Sequence, residues 1–191
     1  MSEQLSLLAP VRKTDRLFFA LFPDAATAAR LSELAGELRE RHGLRGAPLA
    51  PERFHITLTH LGDYEGLPRD LVAKAREAGR RVAASPFVPR FDRAGSFAGR
   101  ARNNPFVLLS SETETPVTAF QRSLGEAMKA TGLGHKAGPY SPHVTLLYDD
   151  AVIGEHAIDP VSWTAGEFVL VHSLLGQTKH LILDRWSLQG R

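Results

Sequence analysis

A chain of 191 residues with 43% hydrophobic content can bury a sizeable core, in one compact domain or in two small lobes that share one. It contains no cysteine, which excludes disulfides, thiolate metal sites and a cysteine nucleophile and fits a reducing cytoplasm. The formal charge of +2, from 23 basic and 21 acidic side chains, is too small for a generic polyanion binder, so non-specific DNA binding is not the leading reading.

Residues 1–15 show no periodicity and are expected to form a loose lead-in. They lack a basic segment followed by an apolar one, and no stretch of the chain approaches the roughly 18 apolar residues of a membrane span, so a cytoplasmic protein is expected. Residues 16–22 make a nearly continuous apolar strand, the type buried on both faces. Pro23 ends it, and Asp24 caps a helix over 24–41 whose Leu31, Leu34 and Leu38 recur at helical spacing. His42-Gly43 closes that helix, and a loop bearing Pro48 and Pro51 leads to a strand over 54–61 that Gly62-Asp63 terminates.

A second helix is predicted over 68–84, with Leu71, Val72, Ala75, Ala78 and Val82 as its apolar stripe and its many charges as a solvated face. Residues 86–91 read as extended, and Phe97 as the start or end of a strand. A basic loop over 100–105, with Arg100, Arg102, Asn103 and Asn104, enters the next strand at Phe106. A third helix follows over 116–130, closed by Thr131-Gly132, and the loop 132–142 holds three glycines and two prolines. After a strand at His143 and then Tyr148-Asp149-Asp150 comes another loop. Two closing strands over 167–175 and 180–188 are joined by a hairpin at Gly176-Gln177-Thr178-Lys179.

Two strings organise this layout, His55-Ile56-Thr57-Leu58 and His143-Val144-Thr145-Leu146. Each is a short run of β-formers, so alternation places His55 and Thr57 on one face and Ile56 and Leu58 on the other, and divides the second string in the same way. Their surroundings repeat too. An apolar strand and then a helix precede each, a proline stands four residues before each histidine, and the same 37-residue separation divides Phe18 from His55 and Phe106 from His143. The chain therefore reads as two copies of one strand-helix-strand unit, 1–191 forming a single bilobal domain.

Two imidazoles facing one cleft can act together as general base and general acid near neutral pH. Threonine hydroxyls two residues away on the same face donate hydrogen bonds to non-bridging oxygens of a bound anion, which suits phosphate ester chemistry. The basic loop, through Arg100 and Arg102, is a candidate to overhang the cleft and grip phosphate. No phosphate loop and no dinucleotide fingerprint occur. A zinc site from His172, His180 and Asp184 is a minor alternative, without the helical His-Glu-x-x-His spacing. His60 has the opposite strand parity to His55, Thr57 and Thr59 and is expected to point away from the cleft; His42, His135 and His156 fall in loops and need no role.

These residues resemble the 2H phosphoesterases, in particular the LigT-like branch of 2′-5′ RNA ligases and RNA 2′,3′-cyclic phosphodiesterases. The likeness rests on the run from His55 to Gly62, the run from Pro142 to Tyr148, the opening strand at Arg16, Phe97, and the ending segments at Leu170 and Asp184. It implies a bilobal α+β fold in which pseudo-twofold duplicated units place antiparallel sheets around a central cleft. It further implies hydrolysis of a 2′,3′-cyclic phosphate to a 2′-phosphomonoester without metal or other cofactor, with RNA ends or small cyclic nucleotides as substrate. In that scheme one histidine activates water, the other protonates the departing 3′-oxygen, and Thr57 and Thr145 hold the phosphate; some members join RNA ends through the same transesterification. The chain departs from the branch at Tyr148, where arginine is frequent, and at His60, where phenylalanine is frequent. Positive charge is then expected from Arg100, Arg102 or Arg53, with Tyr148 and Tyr140 as base-stacking candidates. No membrane and no obligate protein partner are implied, and a monomer is expected. The alternative reading is an RNA-end-binding module that keeps the cleft without turnover.

Overall fold

The computed structural model describes residues 13–99, 101–134 and 138–190. Its first strand, β1 (Asp15–Leu21), carries two apolar faces, as the unbroken hydrophobic run requires. Leu17, Phe19 and Leu21 enter the main core, while Phe18 and Ala20 pack with Val169 and Val171 on the opposite side. Each fully buried side chain of this size stabilises the fold by roughly 1.5–3 kcal/mol. The strand begins at Asp15, inside the stretch expected to be a loose lead-in, because the Asp15 carboxylate accepts hydrogen bonds from His172 Nε2 and from the amide of Gly66.

Helix α1 (Ala25–Arg41) starts where the sequence places its cap: the Asp24 carboxylate accepts from the amide of Thr27 at 2.7 Å. Strand β2 (Ile56–Tyr64) runs beyond Gly62-Asp63, its predicted end, because β1 continues to pair with it as far as Asp15 and Tyr64. Helix α2 (Arg69–Arg81) is shorter than 68–84. Strand β3 (Arg90–Ser96) lies downstream of the predicted extended stretch and is rich in charge and glycine, with only Phe91, Ala94 and Gly95 buried. Strand β4 (Asn104–Leu109), helix α3 (Pro116–Ala130) and strand β5 (His143–Asp149) form the second unit, and α3 is closed at its start by reciprocal Thr115 and Thr118 hydrogen bonds. Strand β6 (His156–Ser162) occupies a stretch read as loop. It is an edge strand, which is why it tolerates Asp159 and Pro160. Strands β7 (Glu167–Leu174) and β8 (Lys179–Ser187) make the closing hairpin.

The eight strands form one antiparallel sheet in the order β6-β3-β4-β5-β2-β1-β7-β8. The two units meet at its centre, where β2 and β5 share a single register pair, Ile56 opposite Val144. Among the described residues no other pair joins β2 to β5, so the antiparallel sheets expected around a cleft are the two halves of one sheet that meet at its midline. The helices cover one face, and each of α1 and α3 crosses to the other unit: α1 packs against β5 and β6, and α3 against β2. Among the described residues no helix is long and apolar enough to cross a membrane.

Candidate active site

The open face of the sheet holds a cavity of about 470 Å³ lined by His55, Thr57, His143 and Thr145, so the two strings do converge. Antiparallel pairing about Ile56 and Val144 brings His55 to the Thr145 side and Thr57 to the His143 side. The apolar residue between each His and Thr is wholly buried on the helix side, which fixes the direction of its polar neighbours.

Both histidines are oriented in the same way. His55 Nδ1 lies 2.7 Å from the carbonyl oxygen of Arg53, and His143 Nδ1 lies 2.8 Å from that of Ser141, in each case two residues upstream. A carbonyl only accepts, so each Nδ1 carries the proton and each neutral ring leaves the Nε2 lone pair free. Aromatic contacts hold the rings: Phe18 and Phe22 lie 5.1 and 5.6 Å from His55, and Phe97 meets His143 edge-on at 4.9 Å. Burial pushes His55 down to about 4 against an ordinary 6.5, assisted by the nearby His180, His143 and Arg53. Burial also lowers His143, partly offset by its bond to the Ser141 carbonyl.

Positive charge reaches the cavity from Arg53 and Arg16. Arg16 is clamped in bidentate fashion, Nε and one terminal nitrogen each 2.7 Å from an Asp63 oxygen. His60 Nε2 donates to the same carboxylate at 2.9 Å and lines the cavity, contrary to the parity expected from sequence. The reason is a bulge. Phe19 pairs with Thr59 but Ala20 with Thr57, so Leu58 is an extra residue and alternation is broken between Thr57 and Thr59. Thr59 accordingly faces a different cavity, and its hydroxyl donates to the Leu58 carbonyl.

Tyr148 lines the cavity beside Arg16, half-exposed, in a position to stack. Tyr140 does not: it packs against the core and donates its hydroxyl to the Thr57 carbonyl at 3.0 Å, making it a brace for the strand that carries Thr57. Arg102 is exposed and is not among the residues that line the cavity, and Arg100 lies outside the described residues. The trio His172, His180 and Asp184 is not assembled, because His172 pairs with Leu181 across the hairpin and turns to Asp15 while His180 joins the cleft. Among the described residues no group of three or more His, Asp or Glu gathers in a way that would hold a metal ion. His42 and His156 contact each other, Nε2 to Nε2 at 3.2 Å, where the end of α1 meets the start of β6.

Sequence reasoning missed His180 and Arg16 as cleft residues. Arg16 lies on β1, beside β2, and His180 at the start of β8, the edge strand two places beyond β1; both placements need the sheet order to interpret.

Paired His-x-Thr strings facing one cavity across the midline of a duplicated antiparallel sheet define a 2H phosphoesterase. The sequence model of the 2′-5′ RNA ligase superfamily matches residues 22–177, and the chain belongs to that superfamily. Its fold is that of E. coli LigT in apo form, with a TM-score of 0.70 at 24% identity over 93% of this chain and 99% of that one. TT0787 of Thermus thermophilus gives a TM-score of 0.71 at 24% identity, with 92% and 99% covered. E. coli LigT complexed with 3′-AMP is 27% identical over 92% of this chain and 99% of that chain, with a TM-score of 0.66. A search of curated proteins returns no match.

Proposed function

We propose that the protein hydrolyses RNA or nucleotide 2′,3′-cyclic phosphates to 2′-phosphomonoesters, as an RNA 2′,3′-cyclic 3′-phosphodiesterase. The observation that carries this reading is the matched orientation of His55 and His143, each donating Nδ1–H to a carbonyl and offering Nε2 to one cavity that Thr57 and Thr145 also line. One ring, neutral, takes a proton from water as the water oxygen attacks phosphorus. The other, protonated, gives its proton to the 3′-oxygen as the P–O3′ bond breaks, leaving the phosphate on the 2′-oxygen. The threonine hydroxyls donate to the non-bridging oxygens, whose charge grows in the transition state. Each proton transfer is expected to contribute about 10²–10⁴ in rate.

Two features support the substrate class. Arg16 and Arg53 supply charge for a phosphate, and Tyr148 offers a ring to a base at the same wall. E. coli LigT has been seen with 3′-AMP and with phosphate. With a ribose 5′-hydroxyl as nucleophile in place of water, the same displacement of the 3′-oxygen joins ends through a 2′-5′ bond. The test is turnover, in EDTA, of a short RNA ending in 2′,3′-cyclic phosphate, with the product located by phosphorus NMR. A 2′-phosphate is the expected product. No turnover of this RNA or of cyclic mononucleotides would leave a binding module in its place.

A further inference from the structure

His180 lies where two cavities meet. One is the cleft that holds the motif histidines; the other is a neighbouring cavity of about 630 Å³ whose charged lining mixes Lys179 and Arg185 with Asp24, Glu52 and Glu167, and Arg53, Thr178 and His180 belong to both. The ring of His180 stands edge-on to His55, with centroids 5.2 Å apart at 80°, and edge-on to Phe18 at 5.6 Å and 79°. Its Nδ1 is buried and has no hydrogen-bond partner.

A buried unpaired N–H is harder to accommodate than a buried unpaired lone pair. The neutral ring, which lines both cavities, therefore carries its proton on Nε2. Burial and the adjacent Arg53 both favour the neutral form. His55 and His143 have the opposite arrangement, with Nδ1 protonated and Nε2 bare. In their neutral forms, then, two imidazoles of the cleft present a bare Nε2 and the third presents an Nε2–H. Nothing in the paired-motif chemistry uses the third, and among the described residues no protein group receives its proton. Arg53 shares the boundary, and its Nε is likewise buried without a partner.

We infer that His180 is a substrate-positioning residue whose Nε2–H donates to an oxygen of the RNA end where it passes from the catalytic cleft into the adjoining cavity. The inference rests on the proposed hydrolase reading and deepens it: the substrate is at least two nucleotides long, with the residue next to the cyclic phosphate in the second cavity, where Thr178 stands at the boundary, Lys179 offers a donor and Arg185 is paired with Glu167.

The experiment compares a dinucleotide ending in 2′,3′-cyclic phosphate with the cyclic mononucleotide, in wild type, His180→Phe and His180→Gln. Phenylalanine keeps the edge-on packing and removes the donor; glutamine places an amide N–H near the position of Nε2. His180→Phe is expected to raise KM for the dinucleotide about tenfold, with kcat changed less than about threefold and a smaller KM effect on the mononucleotide. His180→Gln is expected to recover most of the loss, which a packing role would not produce. Should His180→Phe not fold, His180→Leu replaces it. Wild-type KM in His180→Phe, equal losses on both substrates, or His180→Gln as poor as His180→Phe would each overturn the inference. If wild type turns over neither substrate, the hydrolase reading fails by itself. Binding of a dinucleotide 2′-monophosphate by the same variants then decides the role of His180, with the same ranking expected and no ranking overturning it.

Discussion

Ile56 of β2 and Val144 of β5 are the one register pair that joins the two halves of the sheet, and each sits between the histidine and the threonine of its own string. Both side chains are fully buried on the helix side, so this contact, which joins the halves alongside the crossing helices and the Pro48–Leu147 bridge, also aims the four polar groups at the cavity. Ile56→Ala is expected to cost about 2–5 kcal/mol of stability, and Val144→Ala somewhat less. Because the two side chains share a contact, the double variant should fall short of the sum. Urea denaturation of the four proteins measures this, and strict additivity would mean that the pair is not coupled.

The lowered protonation of His55 makes stability depend on pH. In the unfolded chain His55 takes its proton near the ordinary 6.5; in the folded protein it does so only near 4. Between those values the unfolded state binds more protons, so stability falls as pH falls through that window and is fully present above it. The loss approaches about 3 kcal/mol at the acid end. His55→Gln removes this contribution, and the difference in urea midpoint between variant and wild type should shift in favour of the variant from pH 7 to pH 4. A difference that does not vary with pH would contradict the burial of a neutral His55.

Rate should show the same depression. The productive form of the pair carries one proton, and both rings are held below their ordinary value. The kcat/KM profile of the free enzyme is therefore expected to peak on the acid side of 6.5. A bound phosphate anion favours the charged rings and should move the kcat profile to higher pH. Coincident profiles peaking above neutrality would be the opposite result.

On the proposed reading, Arg16, which lines the cavity and is held by Asp63, contacts the phosphate where Tyr148 offers no charge. Arg16→Met is expected to raise KM for a cyclic phosphate about tenfold with a smaller change in kcat. Asp63→Asn should act in the same direction but more weakly, since it loosens the guanidinium without removing it. Steady-state kinetics of both variants provide the check, and an Asp63→Asn effect larger than that of Arg16→Met would place the main role on the carboxylate.

The buried pair of Asp15 and His172 does not line the cavity that holds the motif histidines. Asp15 also accepts from Thr14 and from the Gly66 amide, so Asp15→Ala strands several donors at once. A loss of about 3–5 kcal/mol is expected, with kcat unchanged well below the melting temperature. Thermal melts and low-temperature assays separate the two effects.

Much of this architecture is legible in the sequence because local rules decide it. The caps at Asp24 and Thr115, the helical stripes and the doubled His-x-Thr strings need no knowledge of distant contacts. What escapes is set by pairing. The strand β6 looks like loop because Asp159 and Pro160 are acceptable only at an edge, and edge status is a property of the whole sheet. His60 is misassigned because one extra residue at Leu58 resets the alternation, and only the register against β1 reveals it. His180 reaches His55 because β1 lies between β2 and β7 and the hairpin folds β8 back along β7. Nothing in the residues around position 180 carries that information.

The central claim is that His55 and His143 work as one catalytic unit on a cyclic phosphate. It is tested most directly by the rates of wild type, His55→Ala, His143→Ala and the double variant on an RNA with a 2′,3′-cyclic phosphate end, in EDTA. The account predicts that each single variant loses at least about 10² in kcat and that the double variant is little slower than either, since one ring cannot perform the concerted transfer alone. Single variants that keep near wild-type rates, or losses that multiply in the double variant as for independent groups, would contradict it.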